Sequence, residues 1–353
     1  AEIVAGSTRA DGVTGEKGMA NYAAGVLHGL AQFLQQCALA EPACVRQVYT
    51  QYPALRQTFR FHLDTLCLDG YYPSCGDSSW FAHRTGEYVG LPFQPVRAGV
   101  LPRPPLAPSM FSFAWTLYGL TGDPAYVQAL YRANGGTPDG LPYDVTCPDP
   151  AAMRRGVAAV IARHGTAYAL ESVNKPQWHL AILRAGRGDT ARAAWLDYDW
   201  GGRHSHSDGM NLGLFAYGLD LLPDFGYPPV HHGGWDAPHA VWYTKTAAHH
   251  TVTVDGTDYP WTLDPAGGTT PLWAVGRAIR AVRASAPNSY AGTAQFERTV
   301  FLLDLSPAQS VLVDVLRVAG GREHVKGVSS HFGTVTTAGL ALTADVAPAP
   351  GVL

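Results

Sequence analysis

The hydrophobic pattern of this 353-residue chain changes period part-way along, and that switch limits the folds open to it. From Met19 to Cys37 the apolar residues Tyr22, Val26, Leu27, Leu30, Phe33, Leu34 and Cys37 recur mostly at steps of three and four, the spacing of one helix face. Leu55, Phe59, Leu63 and Leu66 repeat it between Pro53 and Cys67. Asp123-Pro124 and Asp149-Pro150 each place a capping carboxylate before a proline at the first helical position. They open helices over 125–133 and from 150 to about His164-Gly165, below a Pro-rich loop from Leu101 to Ser109. After about residue 166 the helical spacing stops. Trp178–Arg184, Ala193–Tyr198, Met210–Tyr217, Thr251–Asp255, Trp273–Arg283, Arg298–Leu303, Ser310–Val318 and His324–His331 are mostly β-branched or aromatic and bounded by Gly, Pro or Asp, as strands are. Asp255-Gly256 and Gly320-Gly321 read as turns. Helices followed by strands predict an α+β multidomain chain and exclude a βαβ sheet. The expectation is a partial (α/α) helical toroid over residues 1–168, then an antiparallel β-sandwich over 169–353.

Composition excludes several function classes. Only 15% of residues are charged, against about 25% in an average domain, and the net charge is −3. That argues against a nucleic-acid footprint and a polybasic membrane surface. No stretch approaches the roughly 18 apolar residues of a membrane span, and residues 1–6 show no signal peptide. The chain reads as a mature or partial one. The five cysteines, Cys37, Cys44, Cys67, Cys75 and Cys147, form no CxxC pair. They read as buried small hydrophobes, or as one or two disulfides such as Cys37–Cys44 or Cys67–Cys75.

The unusual feature is histidine: seven of the 14 fall between His204 and His250. In Arg203-His204-Ser205-His206-Ser207-Asp208 the two imidazoles are two apart, so on a strand they share a face. Asp224 follows in Asp-Phe-Gly, and His249 in Ala-His-His-Thr-Val. Two imidazoles and a carboxylate are a common zinc ligand set. Asp208 reads either as a third ligand or as a carboxylate that orients an imidazole. Histidines near turns are more often surface or hydrogen-bonded core residues, and His231-His232 beside Gly233-Gly234 fit that description.

Several of these segments resemble the heparinase II/III-like polysaccharide lyases. The likeness is strongest over 178–256, in His179–Arg184, the HxHxD segment, the stretch from Gly218 to Gly226, and Ala248–Gly256, where His250 stands for the family's usual Asn. Arg298-Thr299-Val300 and His324…His331 resemble its later sheet. Asp11–Glu16 with Asn21-Tyr22 is similar to its acidic helix-start motif, and Asp69–Ser78 to a second toroid loop. The family's helical part begins well before that acidic motif, so the resemblance implies that N-terminal helices are missing.

The resemblance implies a Zn2+ site of His206, Asp224 and His249 that shapes a cleft between toroid and sandwich. It also implies β-elimination next to a uronic acid, in an acidic polysaccharide or oligosaccharide, by a periplasmic or secreted enzyme. That chemistry needs the carboxylate neutralised, the C5 proton removed and the departing O4 protonated. His204 matches the family's catalytic histidine, and Tyr72 or Tyr71 its tyrosine. Val13 stands where a neutralising His is expected, so Asn21 and Glu16 are the nearest neutralising candidates. Arg203, Arg84 and His83 are candidates for the uronate carboxylate, and Trp80 and Trp242 for stacking on sugar rings. The competing readings are a non-catalytic carbohydrate-binding relative with a structural zinc, and a glycoside hydrolase using two carboxylates, nominally Asp77 and Glu16.

Overall fold

The computed structural model describes residues 11–12, 16–78, 81, 108–263, 266–331, 334, 336 and 338–339, without the side chains of residues 20 and 21. Trp80, His83, Arg84 and Val13 therefore lie outside the described residues, as does the Asn21 side chain. One π-helical turn, Met19–Ala23, leads into α1 (Ala24–Ala40). There follow α2 (Cys44–Gln51), α3 (Ala54–Asp64), α4 (Pro108–Thr121), α5 (Pro124–Ala133) and α6 (Pro150–His164). The two Asp-Pro caps form as expected: Asp123 Oδ1 accepts from the Ala125 N–H (3.0 Å) and Asp149 Oδ1 from the Ala152 N–H (2.8 Å). Sequence periodicity missed α2 and α4 for physical reasons. The eight-residue α2 buries only Val45 and Tyr49, and α4 buries Met110, Phe111, Phe113, Ala114 and Leu117 around most of its circumference, leaving no stripe.

The strands begin at β1 (Val173–Lys175). β2 (Leu180–Ala185), β3 (Arg192–Asp197), β5 (Asn211–Ala216) and β6 (Leu219–Asp220) join it in a five-stranded antiparallel sheet of order β1-β2-β3-β5-β6. A short β4 (Asp199–Trp200) pairs with β8 (Ala266–Gly267), and β7 (Val252–Val254) with β13 (His324–Lys326). The second large sheet has the order β12-β11-β10-β9, from β9 (Thr269–Val275), β10 (Ile279–Ser285), β11 (Gln295–Ser306) and β12 (Gln309–Ala319). The predicted strand Trp273–Arg283 is thus two strands: the chain reverses at Gly276, whose N–H donates to the Ile279 carbonyl (2.8 Å). A short helix α7 (Pro238–Tyr243) interrupts the region expected to be all strand, and only the first residues of His324–His331 pair. The architecture is α+β, with helices first and antiparallel sheets after. All five cysteines are free, Cys67 and Cys75 buried and Cys37, Cys44 and Cys147 half-buried. Among the described residues no helix is long and apolar enough to cross a membrane.

Three cores hold these parts. One lies among the helices, around Phe59, Phe113, Leu117 and Leu130. A second joins helices to the five-stranded sheet through Phe61, Tyr71, Tyr72, Trp178, Trp195 and Phe215. The third joins the two large sheets, Leu183 and Leu196 from one packing with Val282, Val300 and Leu302 from the other. Arg298 on β11, 1% exposed, pins this last junction. Its Nε and Nη2 both reach Asp314 (2.8 Å each), and Nη1 donates to the carbonyls of Met210 (2.6 Å) and His250.

A seam of backbone hydrogen bonds crosses from the helical part to the loop before β5. Lys17 N–H donates to the Arg203 carbonyl (2.9 Å), and Asp77 N–H to the His204 carbonyl (2.8 Å). Gly76, at φ +62°, sits so close that an added Cβ would lie 2.1 Å from the His204 oxygen.

Two predictions follow from these junctions. Gly76→Ala combines a left-handed backbone with a clash against backbone, and is expected to cost at least about 2 kcal/mol. Urea unfolding checks it; unchanged stability would mean the seam is not as close as described. Arg298→Leu leaves two carbonyls without their donor and Asp314 with Lys326 alone (2.7 Å), and should cost about 3 kcal/mol. Burial alone would raise the Asp314 carboxyl, but Arg298 first and Lys326 second outweigh it and hold the carboxyl below its ordinary value. The pair's stability is therefore full above the unfolded carboxylate value of about 3.9 and is lost as pH falls through the lower folded value. Acid titration of stability should be shallower in the variant.

Candidate active site and metal centre

The seam brings two groups of functional side chains together. The first surrounds His204, which is half-buried. Its Nδ1 donates to Glu16 Oε2 (2.6 Å), which fixes the proton on Nδ1 and leaves Nε2 as the ring's acceptor. The Tyr22 ring stacks on the imidazole, centroids 3.5 Å apart and 5° from parallel. The Tyr22 hydroxyl lies 3.2 Å from that of Tyr227. Burial, then the Tyr227 hydrogen bond and the Asp77 and Glu16 charges, push the Tyr22 phenol well above its ordinary value, so it holds its proton at neutral pH. Arg203, exposed, borders this group.

The structure therefore joins two of the residues nominated from sequence, His204 and Glu16, and gives them a partner the sequence reading missed. Tyr22 had been counted in the apolar stripe of its helix. Tyr71 and Tyr72, expected in the cleft, are 4% and 2% exposed and belong to the core between helices and sheet. Tyr71 stacks on Phe215 and its hydroxyl donates to the Gly218 carbonyl (2.8 Å), while Tyr72 packs edge-on against His62. Trp242 is half-buried on α7.

The second group is fully buried behind the first. His206 and His249 face each other, ring centroids 5.4 Å apart. Each presents one nitrogen to a carboxylate: His206 Nε2 to Asp77 Oδ1 (3.0 Å) and His249 Nδ1 to Asp224 Oδ2 (2.8 Å). The other nitrogens, His206 Nδ1 and His249 Nε2, are buried without a hydrogen-bond partner. One atom each from His206, His249 and Asp208 lies within 4.8 Å of the others. Carboxylate-oriented imidazoles with a free inner nitrogen fit a divalent cation. The expected third ligand, Asp224, is engaged differently. Its Oδ2 also accepts from Asn211 Nδ2 (2.8 Å), and its Oδ1 from the Gly226 N–H (2.8 Å). Burial would raise the Asp224 carboxyl, but His249 outweighs it and holds it below its ordinary value. Burial would likewise lower the His249 imidazole, and Asp224 outweighs it and raises it.

His204 and His206 do not share a face, as a strand would require. The segment around them is not a strand, and His204 has a left-handed backbone at φ +57°. His250 is committed to the fold, Nδ1 to the Leu212 carbonyl (2.8 Å). His231, His232 and His239 are exposed. Asp208 is also one of three buried carboxylates, with Asp197 and Asp199, that lie within 4.8 Å of one another. Lys17, 1% exposed, pairs with Asp199 and donates to the Trp178 carbonyl (2.7 Å). Burial pushes the Asp197 carboxyl up to about 7 even against Lys17. A cavity of about 680 Å3 lined by Arg184, Arg187, Arg192 and Arg280 lies at the opposite end of β3 and includes none of these residues.

Comparison with known proteins adds a family to this geometry. A search of curated proteins finds no match. Solved structures do match in fold. A heparinase III gene product has a TM-score of 0.59 at 16% identity, covering 95% of this chain and 43% of its own. The heparan sulfate lyase of Pedobacter heparinus has a TM-score of 0.53 at 16% identity, covering 90% and 40%. A further heparinase III gives 0.53 at 15%, covering 89% and 41%. The chain thus spans less than half the length of these structures. The family model described as heparinase II/III-like, C-terminal, matches residues 170–348. That match takes in the HxHxD segment, Asp224 and His249, and by it the chain belongs to the heparinase II/III-like family.

Proposed function

We propose that this chain is the catalytic part of a polysaccharide lyase that cleaves a uronate-containing glycan by β-elimination. The observation that carries this reading is the His204 group: an imidazole with its proton fixed by Glu16 and a protonated phenol stacked against it. His204 Nε2 takes the C5 proton. The C5–H electrons form the C4=C5 double bond as the C4–O4 bond breaks, and the Tyr22 hydroxyl protonates O4. A phenol held protonated suits the acid role, and an imidazole with a free Nε2 suits the base. Arg203, exposed beside them, and the Asn21 amide are assigned to the uronate carboxylate. Such an enzyme meets its polymer outside the cytoplasm, which is why a secreted or periplasmic setting is part of the reading.

The metal belongs to the same proposal. His206 and His249 would hold a zinc ion, with Asp77 and Asp224 orienting their rings. Asp208 completes the group within 4.8 Å, whereas Asp224 touches His249 at 2.8 Å, and these two carboxylates compete for the third ligand position. A bound cation would supply a fixed positive charge that braces the cleft wall carrying His204. Glycoside hydrolysis is disfavoured because its nominal carboxylates are otherwise engaged: Glu16 with His204, and buried Asp77 with His206.

Two measurements test this. Ultraviolet absorbance of unsaturated uronate should rise when the protein meets alginate, heparan sulfate, hyaluronan or ulvan. His204→Ala and Tyr22→Phe should each reduce the rate about 10²–10⁴-fold. New reducing ends without that absorbance would rule out elimination. For the metal, elemental analysis should find one zinc per chain, lost in His206→Ala and His249→Ala. Comparing Asp208→Asn with Asp224→Asn identifies the third ligand, and zinc-free wild-type protein would end the metal assignment.

A further inference from the structure

Of the eight tryptophans among the described residues, six are buried or half-buried; only Trp235 and Trp261, 50% and 49% exposed, are not. Tryptophan is highly buried on average, so an exposed indole is the informative case. Both connect directly to the His204 group, by different routes. Trp261 donates its Nε1–H to Ser205 Oγ (2.6 Å), the residue next to His204. Its segment is held against the same loop, where Gly202 N–H donates to the Thr262 carbonyl (2.9 Å). With its one polar atom satisfied, Trp261 offers solvent an apolar face. Trp235 stands edge-on to Tyr227, centroids 5.9 Å apart, and Tyr227 reaches the Tyr22 hydroxyl. An aromatic run therefore extends from Trp235 through Tyr227 and Tyr22 to His204, and Trp261 lies beyond Ser205.

We propose that Trp235 and Trp261 are stacking platforms for the two sugar rings that flank the scissile bond, one on each side of the His204–Tyr22 pair. This rests on the lyase reading. Pyranose rings present apolar C–H faces between polar rims, which suits an indole face in a site with few charged groups. The carboxylate is left to Arg203, while the platforms recognise ring shape and spacing. A substrate must therefore place a flat pyranose on both sides of the uronate linkage, which favours internal bonds of a polymer over a terminal disaccharide. Trp80 and Trp242, nominated from sequence, have no such support: the first lies outside the described residues and the second is half-buried.

The test uses the full chain as purified, with oligosaccharides from heparan sulfate, hyaluronan, alginate and ulvan. Calorimetry with the His204→Ala protein reads binding without turnover, and the absorbance assay on the active protein reads turnover. Trp235→Ala and Trp261→Ala should each raise KM about tenfold with kcat changed less, and weaken binding equally. Trp235→Phe and Trp261→Phe, which keep a ring, should restore most of the loss. Trp261→Phe removes the bond to Ser205, so its recovery separates stacking from bracing. Unchanged KM in both alanine variants, or phenylalanine variants as impaired as the alanine ones, overturns the platforms while leaving elimination intact. Binding that depends on both tryptophans without any absorbance change keeps the platforms and overturns elimination. If none of the four oligosaccharides binds, the platforms fall.

Discussion

The organisation of this molecule depends on a few backbone hydrogen bonds between its helical and β parts. Residues 16–17 and 76–77 come from widely separated places in the helical half, yet both dock on Arg203 and His204. The loop before β5 is thereby clamped from two sides. On one side the clamp delivers Glu16, and six residues later Tyr22, to His204. On the other it delivers Asp77 to His206. Gly76 is required at the tight point because no side chain fits against the His204 carbonyl. A site made in this way cannot be built by either half alone.

A chain with so few ionic residues does not use them only as a solvated coat, because many are buried in pairs. Lys17 sits against Asp199, Arg298 against Asp314, Arg192 against Asp304, and His249 against Asp224. Buried pairs of this kind add little net stability over apolar packing, but breaking one is costly. Two of them act here as registration devices, since Lys17–Asp199 and Arg192–Asp304 link elements far apart in sequence. Asp208 shows the economy of the arrangement, standing in both the imidazole group and the carboxylate trio.

The sequence made much of this legible where local chemistry decides structure. The Asp-Pro caps, the alternating strands and the Asp255-Gly256 turn all depend on neighbours within a few residues. Features set by tertiary surroundings were not legible. α4 has no stripe because it is buried on nearly every side. The hairpin between β9 and β10 hides in a run whose apolar residues continue on both sides of the reversal, interrupted by Arg277, Arg280 and Arg283, with only Gly276 to mark the turn. Tyr22 read as an ordinary core aromatic because nothing in a single sequence announces a ring stacked on a histidine 182 positions away. Tyr71 and Tyr72 read as cleft residues because their loop resembles one that borders the cleft, yet the loop turns both rings into the core.

The two histidines of the HxHxD segment show how one backbone dihedral separates two environments. On a strand, residues two apart point the same way, and both imidazoles would be either buried or exposed. Here His204 adopts a left-handed conformation, uncommon for a residue with a side chain. The chain rotates between the two rings, so His206 is 2% exposed beside His249 while the His204 side chain keeps 34% of its surface open. Such strain persists only where surrounding contacts over-determine it, and the carbonyl of His204 is held by Asp77 while its ring is held by Glu16 and Tyr22. The result is one imidazole buried beside His249 and another, two residues earlier, open to solvent. Proton transfer and metal binding make opposite demands on a histidine nitrogen, since one needs access to the reacting carbon and the other needs exclusion of water. Under the proposed function, rings placed on opposite sides of a strained residue would meet both demands within three positions of the chain.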